Sequence, residues 1–232
     1  MLIFDPVYLL FLAPPMLLAM FAQWRVSSTF RSMSEVPARM SGAQAARQML
    51  DSGGLSQVAI EQIPGHLSDH YDPRGKVLRL SPEVYGGRSM ASLGVACHEA
   101  GHAFQDAKGY APLVIRNLAV PAASFGSGIG VTLASIGLFL SYRAPSIGNT
   151  LLLAGIVLFS GVVFFQVVNL PVEFDASARA RRHLVDAGLI SANEEHFVAK
   201  VLNAAALTYV AGTLQAIMTL AYFIFRLMGD RR

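Results

Sequence analysis

The stretch Cys97-His98-Glu99-Ala100-Gly101-His102 carries two imidazoles and a carboxylate within little more than one helical turn. On a helix, residues four apart lie on the same face, so His98 and His102 would point at one spot. Two neutral imidazoles so placed can hold one zinc ion, and Glu99 between them can take a proton from a water at the metal. The plain alternative is a pair of histidines on an ordinary helix surface. Cys97 adjoins His98, but successive helix residues point about 100° apart, so it reads as a small packing residue. As the single cysteine of the chain it also excludes an internal disulfide framework and a Cys-rich zinc site.

A catalytic zinc takes three protein ligands and keeps one position open. His66 and His70 share the i, i+4 spacing, but they sit in strand-and-turn sequence, where it no longer aligns them. His183 and His196 lie among residues that resemble a solvated helix. These four read as surface histidines. The acidic candidates are Glu173 and Asp175, in the stretch Pro171-Val172-Glu173-Phe174-Asp175-Ala176-Ser177. That stretch is expected to open a helix, continued by Ala180, Leu184 and Val185. Acidic groups in a first turn are favoured by the helix dipole alone. A carboxylate here would nevertheless complete a His-His-Glu site.

The elements that must position these groups lie in a membrane protein. At 232 residues, 53% apolar and only 14% charged, the chain is too apolar for an ordinary soluble domain. The net charge of +3 does not point to nucleic acid, because the arginines are scattered and no basic run is interleaved with aromatics. They serve better to orient a membrane protein. Residues Pro6 to Trp24 form an apolar run long enough to span, with Pro14-Pro15 expected to kink it and Trp24-Arg25 as interfacial anchor. A cleaved signal peptide fits poorly, since no basic segment precedes the run and no small-x-small site follows. Leu118–Leu140, rich in Gly and Ser, and Thr150–Val168 form a transmembrane hairpin, and Leu207–Met228 a fourth span before the basic tail Arg231-Arg232.

Between the spans, Ser41 could cap a short helix through Ala45, Ala46, Met49 and Leu50, stopped by Gly53-Gly54. Val58–Glu61 reads as a strand. His66–Tyr71 and Lys76–Leu80 flank the turn Asp72-Pro73-Arg74-Gly75. Ser89 to Asp106 shows apolar positions at helical spacing, which places the histidine motif on a helix preceded by a strand. An edge strand beside a metal can bind substrate backbone by strand addition.

The organisation expected is a transmembrane anchor (residues 1–24), a metallopeptidase part with the motif helix (25–112), a transmembrane hairpin (113–169), a helical segment with the third ligand (170–206) and a final transmembrane helix with its tail (207–232). Most of the eighteen Lys and Arg residues lie in the two polar segments, and the positive-inside rule puts both in the cytoplasm. Because two spans separate them, the two segments must face the same side.

Leu67 to Arg74, Lys76 to Ser81, Val95 to Ala103, Pro171 to Ser177 and Val201 to Tyr209 together resemble the YugP-like neutral zinc metallopeptidases, which are small integral membrane proteins. The resemblance implies zinc at His98 and His102, catalysis by Glu99, and Glu173 as the second acidic element. Glu173-Phe174-Asp175-Ala176 is more distantly similar to the Glu-x-x-Ala-Asp helix of HtpX-type membrane proteases, whose Glu is the third zinc ligand. In that comparison the closing Asp, which orients the first His, falls at Ser177.

The fold expected is an α-helical integral membrane protein of four transmembrane helices with a small α+β zincin-like metallopeptidase domain. The function expected is that of a zinc metalloendopeptidase of gluzincin-like type, multi-pass in the cell membrane. It would cut peptides or membrane proteins at the cytoplasmic face by zinc-activated water, with Glu99 as general base. His183, Arg179 and Tyr209 are candidates for stabilising the oxyanion. The alternatives are a catalytically silent membrane binding or assembly protein with a structural zinc, and a zinc amidohydrolase acting on a non-peptide, lipid-like amide.

Overall fold

The structure is a computed structural model in which residues 5–229 are described. The basic tail Arg231-Arg232 lies outside them. The described residues are mostly helical, with one small sheet. Helix α1 spans Pro6–Ser34 and continues unbroken past Pro14, Pro15 and the expected end at Trp24. Then come α2 (Gly42–Ser52), β1 (Ala59–Gln62), β2 (His70–Asp72), β3 (Val77–Leu80), α3 (Pro82–Gly86) and α4 (Met90–Ala107). The second span is α5 (Ala111–Phe125), a π-helical turn (Gly126–Gly130) and α6 (Val131–Ser141). Helices α7 (Pro145–Asp186) and α8 (Glu195–Gly229) complete the chain.

Among the described residues, four helical stretches are long and apolar enough to cross a membrane: Pro6–Ser34, Ala111–Ser141, Pro145–Asp186 and Glu195–Gly229. This matches the expected number of spans. One expectation fails: no helix begins at Pro171. Helix α7 runs straight through it for 42 residues, so Glu173 and Asp175 lie in mid-helix and the helix dipole does not account for them. Proline lacks one amide donor, and helices of membrane proteins tolerate that loss where neighbours re-satisfy the freed carbonyl.

The described residues fall into two compact units. The first, Ala22–Val114 with Pro171–Leu207, holds the sheet and α4. Its helix α2 starts as the sequence suggests: Ser41 accepts from the Gln44 amide while the Gln44 side chain accepts from the Ser41 amide, a reciprocal cap. Arg47 on that helix donates to the carbonyls of Val58 and Leu55 and so fixes the approach to β1.

In the sheet, β3 is central, with the strands in the order β1-β3-β2. The expected hairpin pairs β2 antiparallel to β3 with Tyr71 opposite Leu78, while β1 lies parallel to β3 with Ile60 opposite Leu78. The hairpin turn closes because one Asp72 oxygen accepts from the amides of Arg74 and Gly75, and Lys76 takes the left-handed conformation that ends it (φ 50°). One core joins Met49, Leu50, Leu78, Leu80, Leu93, Ala96 and Leu184, all essentially inaccessible to solvent. Burying each Leu contributes about 1.5–3 kcal/mol.

The second unit comprises the remaining described residues, in which α5–α6 lies against the first part of α7. Backbone meets backbone there. A Cβ on Gly137 would sit 2.4 Å from the Leu152 nitrogen, and one on Gly155 would sit 2.4 Å from the Ala134 nitrogen. Tyr222, buried on α8, packs edge-on against Tyr8 of α1 and donates to Asp5.

Candidate metal centre

Helix α4 is set by its N-cap, Ser89, whose hydroxyl accepts from the Ser92 amide. Its interior is small and buried at Ala91, Ala96, Cys97, Ala100 and Ala103, so neighbours can come close. Gly101 is the closest approach: a Cβ there would lie 2.7 Å from the Ala176 carbonyl oxygen on α7. The missing side chain inside the motif thus lets α7 lie directly over the two histidines.

Three residues before Ala176, Glu173 reaches them. Its Oε2 lies 3.2 Å from His98 Nε2 and 3.5 Å from His102 Nε2. Among the described residues, His98, His102 and Glu173 form a group whose ligand atoms all lie within 4.8 Å of one another. Zinc bonds of about 2.0–2.1 Å in a tetrahedron put ligand atoms ~3.3 Å apart, so these separations suit that ion, and two nitrogens with one carboxylate oxygen are a zinc donor set.

The second nitrogen of each ring is also engaged. His98 Nδ1 lies 3.1 Å from Ser177 Oγ, and His102 Nδ1 lies 2.9 Å from Gln105 Oε1. With Nδ1 donating its proton outward, Nε2 presents a lone pair inward.

Glu99 is buried between the histidines. One of its oxygens accepts from the Tyr71 main-chain amide at 3.1 Å, on the side of β2 turned away from β3. Burial pushes the Glu99 carboxyl up, against the pull of His98 and His102. For His102, burial disfavours the charged ring, but the contact with Glu173, the charges of Glu99 and Glu173 and the Gln105 contact together outweigh it, and the net direction is upward.

Strand β2 is itself tied to α4, since Tyr71 Oη donates to Asp106 at 2.6 Å and Lys76 pairs with the same carboxylate. Asp69, just before β2, accepts from both the amide and the hydroxyl of Ser81. Cys97 faces none of this. Burial pushes its thiol up to about 12.

The remaining histidines are occupied elsewhere. His66 meets Glu83, His70 the Ser68 carbonyl, His183 the Ser52 hydroxyl and His196 the Asn193 carbonyl. Asp175, the other acidic candidate, accepts from Gln105 and pairs with Arg179, and so does not join the group. Arg179, expected as an oxyanion donor, is engaged in that pair. The residues missed by sequence reasoning are Gln105 and the Tyr71 amide. Gln105 lies at i+7 from His98 and i+3 from His102, a spacing that puts it on the motif's own face.

A family described as "Putative neutral zinc metallopeptidase" matches residues 8–228. The chain is 44% identical over 216 residues, 92% of its length, to the "Putative membrane protease YugP" of Bacillus subtilis (strain 168), and covers 93% of that relative. No solved structure matches. A match spanning nearly the whole chain, four membrane-spanning helices and a group of side chains suited to the metal lead to one conclusion: the chain belongs to this family of neutral zinc metallopeptidases and is a membrane protein whose metal is zinc.

Proposed function

We propose that this chain is a zinc endopeptidase of gluzincin-like type, in which His98, His102 and Glu173 hold the metal and Glu99 is the general base. The observation that carries this reading is the convergence of the two His Nε2 atoms on one oxygen of Glu173, from a different helix, with Glu99 buried alongside. When bound, zinc supplies a Lewis acid that polarises a peptide carbonyl and acidifies water.

The chain's own residues do the rest. The Tyr71 amide holds one Glu99 oxygen, which leaves the other to accept a proton from the attacking water and return it to the leaving amine. The Gln105 and Ser177 contacts keep the imidazoles from turning away. Strand β2, at the sheet edge, holds the base in position through the Tyr71 amide. The α+β part then acts as a small zincin-like domain within residues 25–112, completed by the ligand segment 170–206. The distribution of Lys and Arg supports a cytoplasmic site, and the substrates are membrane proteins or peptides reaching that face.

The purified protein with Glu99→Gln tests the reading. It should keep its zinc and lose about 10²–10⁴-fold in peptide cleavage. Glu173→Ala should lose the metal itself. A wild type that cleaves nothing across a broad peptide library, with zinc bound, would favour a structural site, and cleavage of lipid-like amides alone would favour an amidohydrolase. For orientation, a Gln48→Cys variant should resist a membrane-impermeant maleimide in intact cells and react after lysis; labelling of intact cells would put the site on the other side.

A further inference from the structure

We propose that Gln105 is a positioning residue of the metal centre, an amide bridge that fixes the tautomer of His102 and locks the Glu173 turn of α7 onto α4. The inference rests on the reading that His98, His102 and Glu173 hold the zinc.

Gln105 is wholly inaccessible to solvent, and each of its polar atoms has a partner. Its Nε2 donates to the Val172 carbonyl at 2.7 Å and to Asp175 Oδ2 at 2.8 Å. A backbone carbonyl and a carboxylate oxygen only accept, so these two bonds consume both amide protons and forbid the flipped amide. The Oε1 atom is therefore the one turned toward His102, 2.9 Å from Nδ1. A carbonyl oxygen accepts only, so His102 Nδ1 must carry the proton, which leaves Nε2, the nitrogen on the Glu173 side, as the ring atom a metal would take.

The same two bonds grip α7 on either side of Glu173, at positions 172 and 175. Asp175 is in turn held by Arg179, whose guanidinium lies over the ring of Tyr110, in the turn between α4 and α5. One buried amide thus specifies the chemistry of one ligand and the placement of another. The carboxylate that would orient a histidine directly is replaced here by Asp175 acting through Gln105, and at His98 by the Ser177 hydroxyl.

Two measurements on the full-length protein in detergent test this. In the zinc-loaded wild type, ¹⁵N correlation spectra of the His102 ring should show a protonated Nδ1 and a metal-bound Nε2; the reverse assignment overturns the proposal without any variant. Zinc affinity, read by chelator competition, should fall about 10–100-fold in Gln105→Met, the range for losing such a supporting partner. If Gln105→Met binds zinc within twofold of wild type, the proposal fails. If instead His102→Ala and Glu173→Ala retain full zinc affinity, the reading of the site itself has failed.

Discussion

The two units solve the problem of holding helices together in opposite ways. In the unit with the sheet, large side chains such as Met49, Leu50, Leu78 and Leu93 are removed from solvent and fill the space between elements. In the other, α5–α6 and α7 meet through the missing side chains of Gly137 and Gly155. Water makes the first solution pay, because apolar burial drives it. Lipid removes that drive, so contact between helices must come from close fit instead. Gly101 is where the watery unit borrows the other device. At the motif it needs proximity of α7 more than it needs volume, and only a glycine leaves room for the Ala176 carbonyl.

Three experiments would break or sharpen that contrast. The largest effect is expected in the side-chain core: Leu78→Ala should cost about 2–5 kcal/mol in unfolding of the detergent-solubilised protein. Leu152→Ala, equally buried in the other unit, should cost less, since its transfer from lipid-like surroundings drives little. Equal costs would erase the distinction.

Next come the close approaches. Gly101→Ala and Gly155→Ala each force a methyl against main chain and should cost about 1–3 kcal/mol. Gly101→Ala should also weaken zinc binding, as it pushes on the turn that carries Glu173, whereas Gly155→Ala should leave zinc affinity within twofold. A zinc defect in both would show that helix fit in the spans governs the site.

The smallest effect concerns an exposed turn. The Gly75 amide, then the Arg79 guanidinium, hold the Asp72 carboxyl below the usual carboxylate range. Its contribution is therefore present above pH of about 3.9 and lost only as pH falls through the lower folded value. Asp72→Asn should lower stability slightly at neutrality and flatten the acid limb of the unfolding profile, so that variant and wild type converge at low pH.

Much of the site was legible because it rests on side chains at fixed spacing along one helix. His98, Glu99 and His102 declare themselves by type and period, α2 by Ser41 and Gln44, and the hairpin by its Asp-Pro-Arg-Gly turn. What stayed hidden depends on groups with no side-chain signature. Gln105 is an unremarked amide until α7 presents the Val172 carbonyl to it. Pro171 looks like a helix start, because a missing amide costs nothing in a first turn, and only the surrounding fold carries α7 through it. The parallel pairing of β1 with β3 arises from a crossover whose direction leaves no mark on either strand's residues.

The amide that holds Glu99 is a case apart. Because the donor is the main chain of Tyr71, nearly every codon at that position encodes the same donor. Of the natural substitutions only proline deletes it. Mutation can freely vary what strand β2 displays while the hold on Glu99 passes unchanged from sequence to sequence, so scanning position 71 with alanine would leave this contact unseen.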